Sequence, residues 1–226
     1  MTAIRSAHVD AGESSRFPAT TTARWGSWML AVSPLYFVLL VVTNVGVLAS
    51  NGIGMFEDIT RAQMDALGFG WVLVSTFYPL AFILGGVGVI LCAVSLTGLP
   101  GARGWSWSAA TAAALAVVLH LPIAPLRIAA MGFTEDRLGD NAAYVLWDPV
   151  GYIANYIIIA STILLCVAVF VGTAHKRAGM VIGGLTAVYL VAGLAQLPLP
   201  PFVISFLWAA LGIVWLRGIR VDRPQP

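Results

Sequence analysis

"WSWSAATAAALAVVLHLPIAPLRIAAMGF", residues 105–133, is apolar for longer than a bilayer is thick, yet it carries His120, Arg127 and two prolines between them. About 20 mostly apolar residues make a helix long enough to cross the ~30 Å hydrocarbon core. This stretch therefore predicts a spanning helix with a bend, since Pro122 and Pro125 each lack the N–H that a helix needs. The carbonyls freed by the prolines must find partners in protein or water. His120 and Arg127 are seven residues apart and share one face.

Working outward, five more stretches read the same way. The predicted spans are 27–49, 70–97, 105–133, 149–173, 179–198 and 201–218. "PLPP" at 198–201 marks a tight hairpin between the last two. Pro149, after Asp148, reads as the first turn of the fourth span with Asp148 as its cap. The whole chain of 226 residues is 59% hydrophobic and 10% charged, where a soluble domain carries about 25% charge. Its mean hydropathy is +0.90. Lipid must be its solvent, and the fold class is an all-α polytopic membrane bundle. A net charge of +2 gives no argument for nucleic acid.

Arg and Lys set the orientation. With the N-terminus cytoplasmic, the inner segments hold Arg5, Arg16, Arg24, Arg103, Lys176, Arg177, Arg217, Arg220 and Arg223, against only Arg61 and Arg137 outside. Glu57, Asp58, Asp65, Glu135, Asp136 and Asp140 collect in the outer loops. Six spans in the cell membrane with both termini cytoplasmic follow. The polar residues 1–24 read as a disordered, retained N-terminal tail rather than a signal peptide, 25–219 as the six-helix domain, and 220–226 as a short C-terminal tail.

The first outer connection alternates Phe56, Ile59 and Leu67 with Glu57, Asp58, Arg61 and Asp65. It predicts a short amphipathic helix, lying on the outer membrane surface or sealing the bundle as a lid. Gly179 and Gly183 form a GxxxG suited to close helix packing, and small-residue faces of this kind also offer a route to a homo-oligomer. Cys92 and Cys166 lie in apolar runs and read as small buried hydrophobes. No His/Cys cluster suggests a metal, and no cofactor is implied.

The polar residues within the spans fall on one level. Arg127 lies about 9 Å below the outer end of its helix, six residues at 1.5 Å each. Asp148, Tyr152 and Asn155 share a face of the next helix and bracket that depth. A membrane charge costs about 3 kcal/mol or more unless paired or wet, so Arg127 is expected to pair with Asp148. Asn44, Ser75, Thr76, Tyr78, Gln196 and Ser205 add to the same outer half, while the inner halves are almost wholly apolar. With Trp71, Trp147 and Tyr156, these residues predict an outward pocket for a hydrophobic small molecule. The substrate-binding candidates are Arg127, Tyr152, Asn155, Tyr156, Trp147, Tyr78, Trp71, Asn44 and Gln196. The structural alternative is a clamp between Arg127 and Asp148, a satisfied core histidine at His120 and an ordinary aromatic belt.

No GxSxG, HExxH or Walker motif is present, nor a channel filter or a train of membrane carboxylates. One chemistry suits an apolar, aromatic-lined pocket. A desolvated carboxylic acid stays protonated, can protonate an alkene or epoxide, and aromatic faces can hold the resulting carbocation. In size, hydropathy and helical make-up the chain resembles the small integral-membrane terpene cyclases that close indole-sesquiterpenes and meroterpenoids. That resemblance implies two membrane-embedded acids, one early and one late. Glu57 would stand for the early one. The last two helices hold no acid, so Asp148 would replace the late one, with His120 accepting the final proton. A small carrier for a hydrophobic compound and a non-catalytic membrane partner subunit are the alternatives from other classes.

Overall fold

The computed structural model describes residues 17–54, 58–132, 136–195, 197, 200 and 202–220. Its regular elements there are helical, apart from one isolated β-bridge between Thr60 and Arg137. In chain order they are α1 (Thr21–Ala31), α2 (Ser33–Ser50), α3 (Arg61–Leu67), α4 (Phe69–Leu96), α5 (Arg103–His120), α6 (Ile123–Ala129), α7 (Ala142–Gly172), α8 (Lys176–Leu194) and α9 (Val203–Arg220), with two 3-10 turns between α6 and α7. Five stretches are long and apolar enough to cross a membrane: Thr21–Ser50, Phe69–Leu96, Arg103–Gly132, Ala142–Gly172 and Lys176–Leu194. α9 is apolar over the shorter Val203–Ile219.

Prolines mark two of the helix boundaries. Pro34 in the first turn of α2 separates it from α1 at Val32. The Ser33 hydroxyl lies 2.7 Å from Leu30 O and 2.9 Å from Ser205 O, and donates to one of them at a time. Within 105–133 the helix is interrupted where the prolines predicted a bend: α5 ends at His120, and α6 begins at Ile123 after Pro122. The expectation at Pro149 is corrected. α7 starts at Ala142, capped by the Asn141 side chain accepting from Tyr144 N at 3.1 Å. Asp148 and Pro149 therefore lie inside α7. Pro149 leaves the Val145 carbonyl without its usual i+4 donor, and a well-capped start two turns earlier carries the helix through.

Close helix approaches hold the bundle. A Cβ on Gly179 would lie 2.7 Å from Cys166 O and 2.9 Å from Phe170 N, and one on Gly183 would lie 2.9 Å from Cys166 Cβ. The GxxxG therefore seats α8 on α7 within the chain. At Gly212 an added Cβ would stand 2.5 Å from Ser27 O and 2.6 Å from Ala31 N, so α9 lies directly on the α1 backbone. Lipid offers helices no hydrophobic drive to associate, and this intimacy supplies dispersion contact instead. Cys92 and Cys166 are free and buried.

The first helix starts inside the stretch 1–24 expected as a disordered tail. α1 begins at Thr21, capped by the Thr20 hydroxyl accepting from Ala23 N at 3.1 Å. Phe17, 1% exposed, stacks between His175 at 4.5 Å and Trp215 at 4.3 Å. Residues 1–16 and the C-terminal 221–226 lie outside the described residues. Burial against Phe17 holds the His175 imidazole below its ordinary pKa. The unfolded or undocked ring then binds protons more readily than the docked one. Docking stability is full above about pH 6.5 and falls as pH drops through the region beneath it. Trp215 fluorescence should report the loosening on titration from pH 8 to 5, and His175→Gln should flatten the curve. An unchanged curve in that variant would assign the transition to another group.

At the end of the bundle where α2 gives way to α4, residues 58–67 of the amphipathic segment fold as a lid. Thr60 and Gln63 form a capping box that starts α3. Its apolar side chains Met64 and Leu67 join Leu48, Ile53, Ile59, Trp71, Ala130 and Leu138 in a second, separate core. Leu138 N donates to Ile59 O at 2.9 Å and Gly139 N to Asp58 Oδ1 at 3.1 Å, which stitches the two outer connections together. Phe56 and Glu57 lie outside the described residues.

Candidate functional site

Arg127 projects from α6 just beneath that second core. It is 7% exposed, and its guanidinium carbon sits 4.6 Å from the Trp147 ring, 4.9 Å from Trp71 and 5.6 Å from Tyr78. The one side-chain hydrogen bond it makes among the described residues is long, from Nε to Ser75 Oγ at 3.5 Å. There, no carboxylate comes within 4.0 Å of it. The expected ion pair with Asp148 is thus not formed. Asp148 is exposed on α7 and acts on the guanidinium through space alone. Three aromatic faces take the place of a counter-charge, each worth about 0.5–2 kcal/mol depending on desolvation.

The backbone beneath the guanidinium is fixed as well. Arg127 is near the C-terminal end of a short helix, where carbonyls lose their i+4 donors. The Trp71 indole donates to Arg127 O at 2.8 Å and satisfies one of them. Trp147 is different: its Nε1 is buried with no acceptor at hydrogen-bond distance.

Deeper in the bundle, His120 is fully buried and stacked on Phe82 at 5.1 Å. Its Nδ1 lies 2.8 Å from Ala116 O and its Nε2 3.1 Å from the Asn155 side-chain amide, which in turn meets the Tyr78 hydroxyl at 3.5 Å. A carbonyl only accepts, so Nδ1 carries the proton. A neutral ring then needs a donor at Nε2, and the amide nitrogen of Asn155 supplies it once the two ends of the amide are exchanged. The Tyr78 hydroxyl then donates to the amide oxygen. Each hydrogen bond of this chain runs one way, from Tyr78 to Asn155 to His120 to the backbone. Both ring nitrogens are occupied, which suits a positioning histidine better than a proton acceptor.

The site brings together Trp71, Ser75, Tyr78 and Phe82 from α4, Arg127 from α6, His120 from α5, and Tyr144, Trp147 and Asn155 from α7. The inward face of α7 is one residue away from the face expected. Tyr144, Trp147, Gly151 and Asn155 turn in, while Asp148 and Tyr152, the latter 56% exposed, turn out. Gly151 leaves room beside the Trp147 ring, since a Cβ there would already be 3.6 Å from it. Tyr156 serves elsewhere: its hydroxyl donates to Gly193 O at 3.1 Å and ties α7 to α8. Asn44, half-buried on α2, makes no hydrogen bond to the cluster among the described residues. Glu57 and Gln196 lie outside the described residues. Tyr144 and Phe82 escaped the sequence reading. The signal for Phe82 was present, because positions 71, 75, 78 and 82 repeat at 4, 3 and 4 and so form one stripe. No family model matches this chain, and neither a curated protein nor a solved structure is found to be similar to it.

Proposed function

We propose that this chain is a cell-membrane protein of six spans, both termini cytoplasmic, that binds a hydrophobic small molecule in the outer half of its bundle. The observation that carries the reading is Arg127, nine-tenths buried among three rings and without a counter-charge among the described residues. A cation at this depth costs about 3 kcal/mol. The rings offset that cost but leave most of the hydrogen-bonding capacity of the guanidinium unused, since Nε alone meets an acceptor among the described residues. A purely structural position would be filled more cheaply by a leucine or methionine.

The six-span reading takes α9 as a short sixth crossing, its 18 residues rising about 27 Å. It keeps Lys176, Arg177 and Arg217 on the cytoplasmic side with Arg103. Binding draws more support from the geometry than proton-initiated cyclisation does. The rings that would stabilise a substrate carbocation already face a guanidinium, whose charge opposes a second cation beside it.

Two measurements test the proposal. A reporter fused after Pro226 should read cytoplasmic, and one inserted at Gly139 should read external. Native mass spectrometry of the protein purified in mild detergent should show a retained apolar molecule, or uptake of one from a panel of long-chain compounds. The reverse topology overturns the outward site, and no bound species under either condition overturns the binding role.

A further inference from the structure

Counting donors and acceptors around Arg127 narrows what the site would take. The guanidinium has five N–H groups, of which one faces the Ser75 hydroxyl at 3.5 Å. The Trp147 Nε1–H beside it has no acceptor. Arg127 O already takes the Trp71 indole, and neither the Tyr78 nor the Tyr144 hydroxyl, the other oxygens close by, hydrogen-bonds the guanidinium or Trp147 Nε1. A buried donor left unmade costs about 1–3 kcal/mol, more for a charged group. Two adjacent side chains therefore present donors to one place, in an apolar setting, with the Ser75 hydroxyl at 3.5 Å as the one acceptor they engage among the described residues.

Resting on the binding role proposed above, we infer that the molecule is an amphiphile with an oxyanion head, a carboxylate or a phosphate monoester or diester, and an apolar tail. Two oxygens on one atom match the guanidinium fork as a bidentate pair, and a further lone pair reaches the Trp147 N–H. An alcohol or a ketone brings one oxygen and no charge, so it leaves most of the donors unmet. The rings around the guanidinium and the surrounding lipid are the apolar setting that suits the tail, and His120 and Asn155 have already closed their own hydrogen bonds. Arg127 is not wholly sealed at 7% exposure. Asp148, exposed on the next position of α7, opposes an anion, but water screens it more than it screens the buried guanidinium.

The test uses the full chain in nanodiscs of zwitterionic lipid, with tryptophan fluorescence as readout and palmitate, hexadecyl phosphate and hexadecanol as probes. Palmitate or hexadecyl phosphate should bind on the order of tenfold more tightly than hexadecanol, the worth of a charge-assisted hydrogen bond. Arg127→Gln should abolish that preference, and Trp147→Phe should reduce it. If Arg127→Gln folds poorly, Arg127→Met and Trp147→Phe serve in its place. Repeating the palmitate titration in nanodiscs containing an anionic phospholipid separates the sources. Competition by the phospholipid assigns the head to a membrane lipid, and undiminished palmitate binding assigns it to a free amphiphile. Equal binding of hexadecanol and palmitate overturns the oxyanion head while leaving the binding role intact. Failure of all three probes to bind overturns both.

Discussion

Trp208→Ala should remove about 3 kcal/mol of stability, read as a lowered midpoint of unfolding in mixed detergent and SDS. Large-to-small changes at buried tryptophans cost about 3–5 kcal/mol in water-soluble cores. The lower end applies here, because a side chain leaving a membrane core enters lipid rather than water. Trp208 is fully buried, donates from Nε1 to Thr162 Oγ1 at 2.9 Å, and packs its six-membered ring over Gly85. Phe37 lies 6.4 Å away on its other side. One side chain thus fastens α9 to α2, α4 and α7. Trp208→Phe keeps most of the volume and should lose only about 1 kcal/mol with the hydrogen bond. Gly85→Leu should be damaging alone, because it enters the space the indole fills. Combined with Trp208→Ala it should do less harm than the sum of the two, as expected of residues sharing one space. Strict additivity would mean that α9 is held by something other than this contact.

That contact could not be read from the sequence. Gly85 and Gly86 sit together in an apolar run, and nothing local says which of them meets a tryptophan more than 100 positions away. What could be read was periodicity and its interruption. The spans appeared because apolar residues continued for about 18 positions or more, and the interruption between His120 and Arg127 because prolines cannot donate. The start of α7 was misplaced because Asp-Pro is a strong helix-start signal. A Pro149 backed by two helical turns from an Asn141 cap gives the same local pattern. That choice carried the wrong face of α7 with it. Pairing the nearest acid with the buried cation assumed that opposite charge was the only cheap partner. The rings at 71, 78 and 147 did the same work at less desolvation cost, and the acid stayed exposed on α7. The outer lid was legible as an amphipathic segment, but its docking depends on the bridge between residues 60 and 137, a distant pairing that leaves no local trace.

Trp71 joins that lid to the candidate site, so its removal should be felt on both sides. It is 2% exposed, belongs to the outer core with Ile59, Met64, Leu67 and Leu138, donates to Arg127 O, and lies under the guanidinium. Trp71→Ala should cost about 3–5 kcal/mol, since here the lost contacts include lid residues that would otherwise face water. Deuterium exchange should rise in α3 and in residues 136–140 before it rises in α4. Trp71→Phe separates the two functions of the residue. It keeps a ring beneath Arg127 and most of the core volume, but leaves the Arg127 carbonyl without its donor, at about 1–3 kcal/mol. If the indole hydrogen bond sets the position of Arg127, Trp71→Phe should weaken palmitate binding while α3 stays protected from exchange. A lid that opens equally in both variants would show that the ring edge, not the hydrogen bond, holds the outer end together. Retained palmitate binding in Trp71→Phe would place the control of the guanidinium with Trp147 and Tyr78 instead.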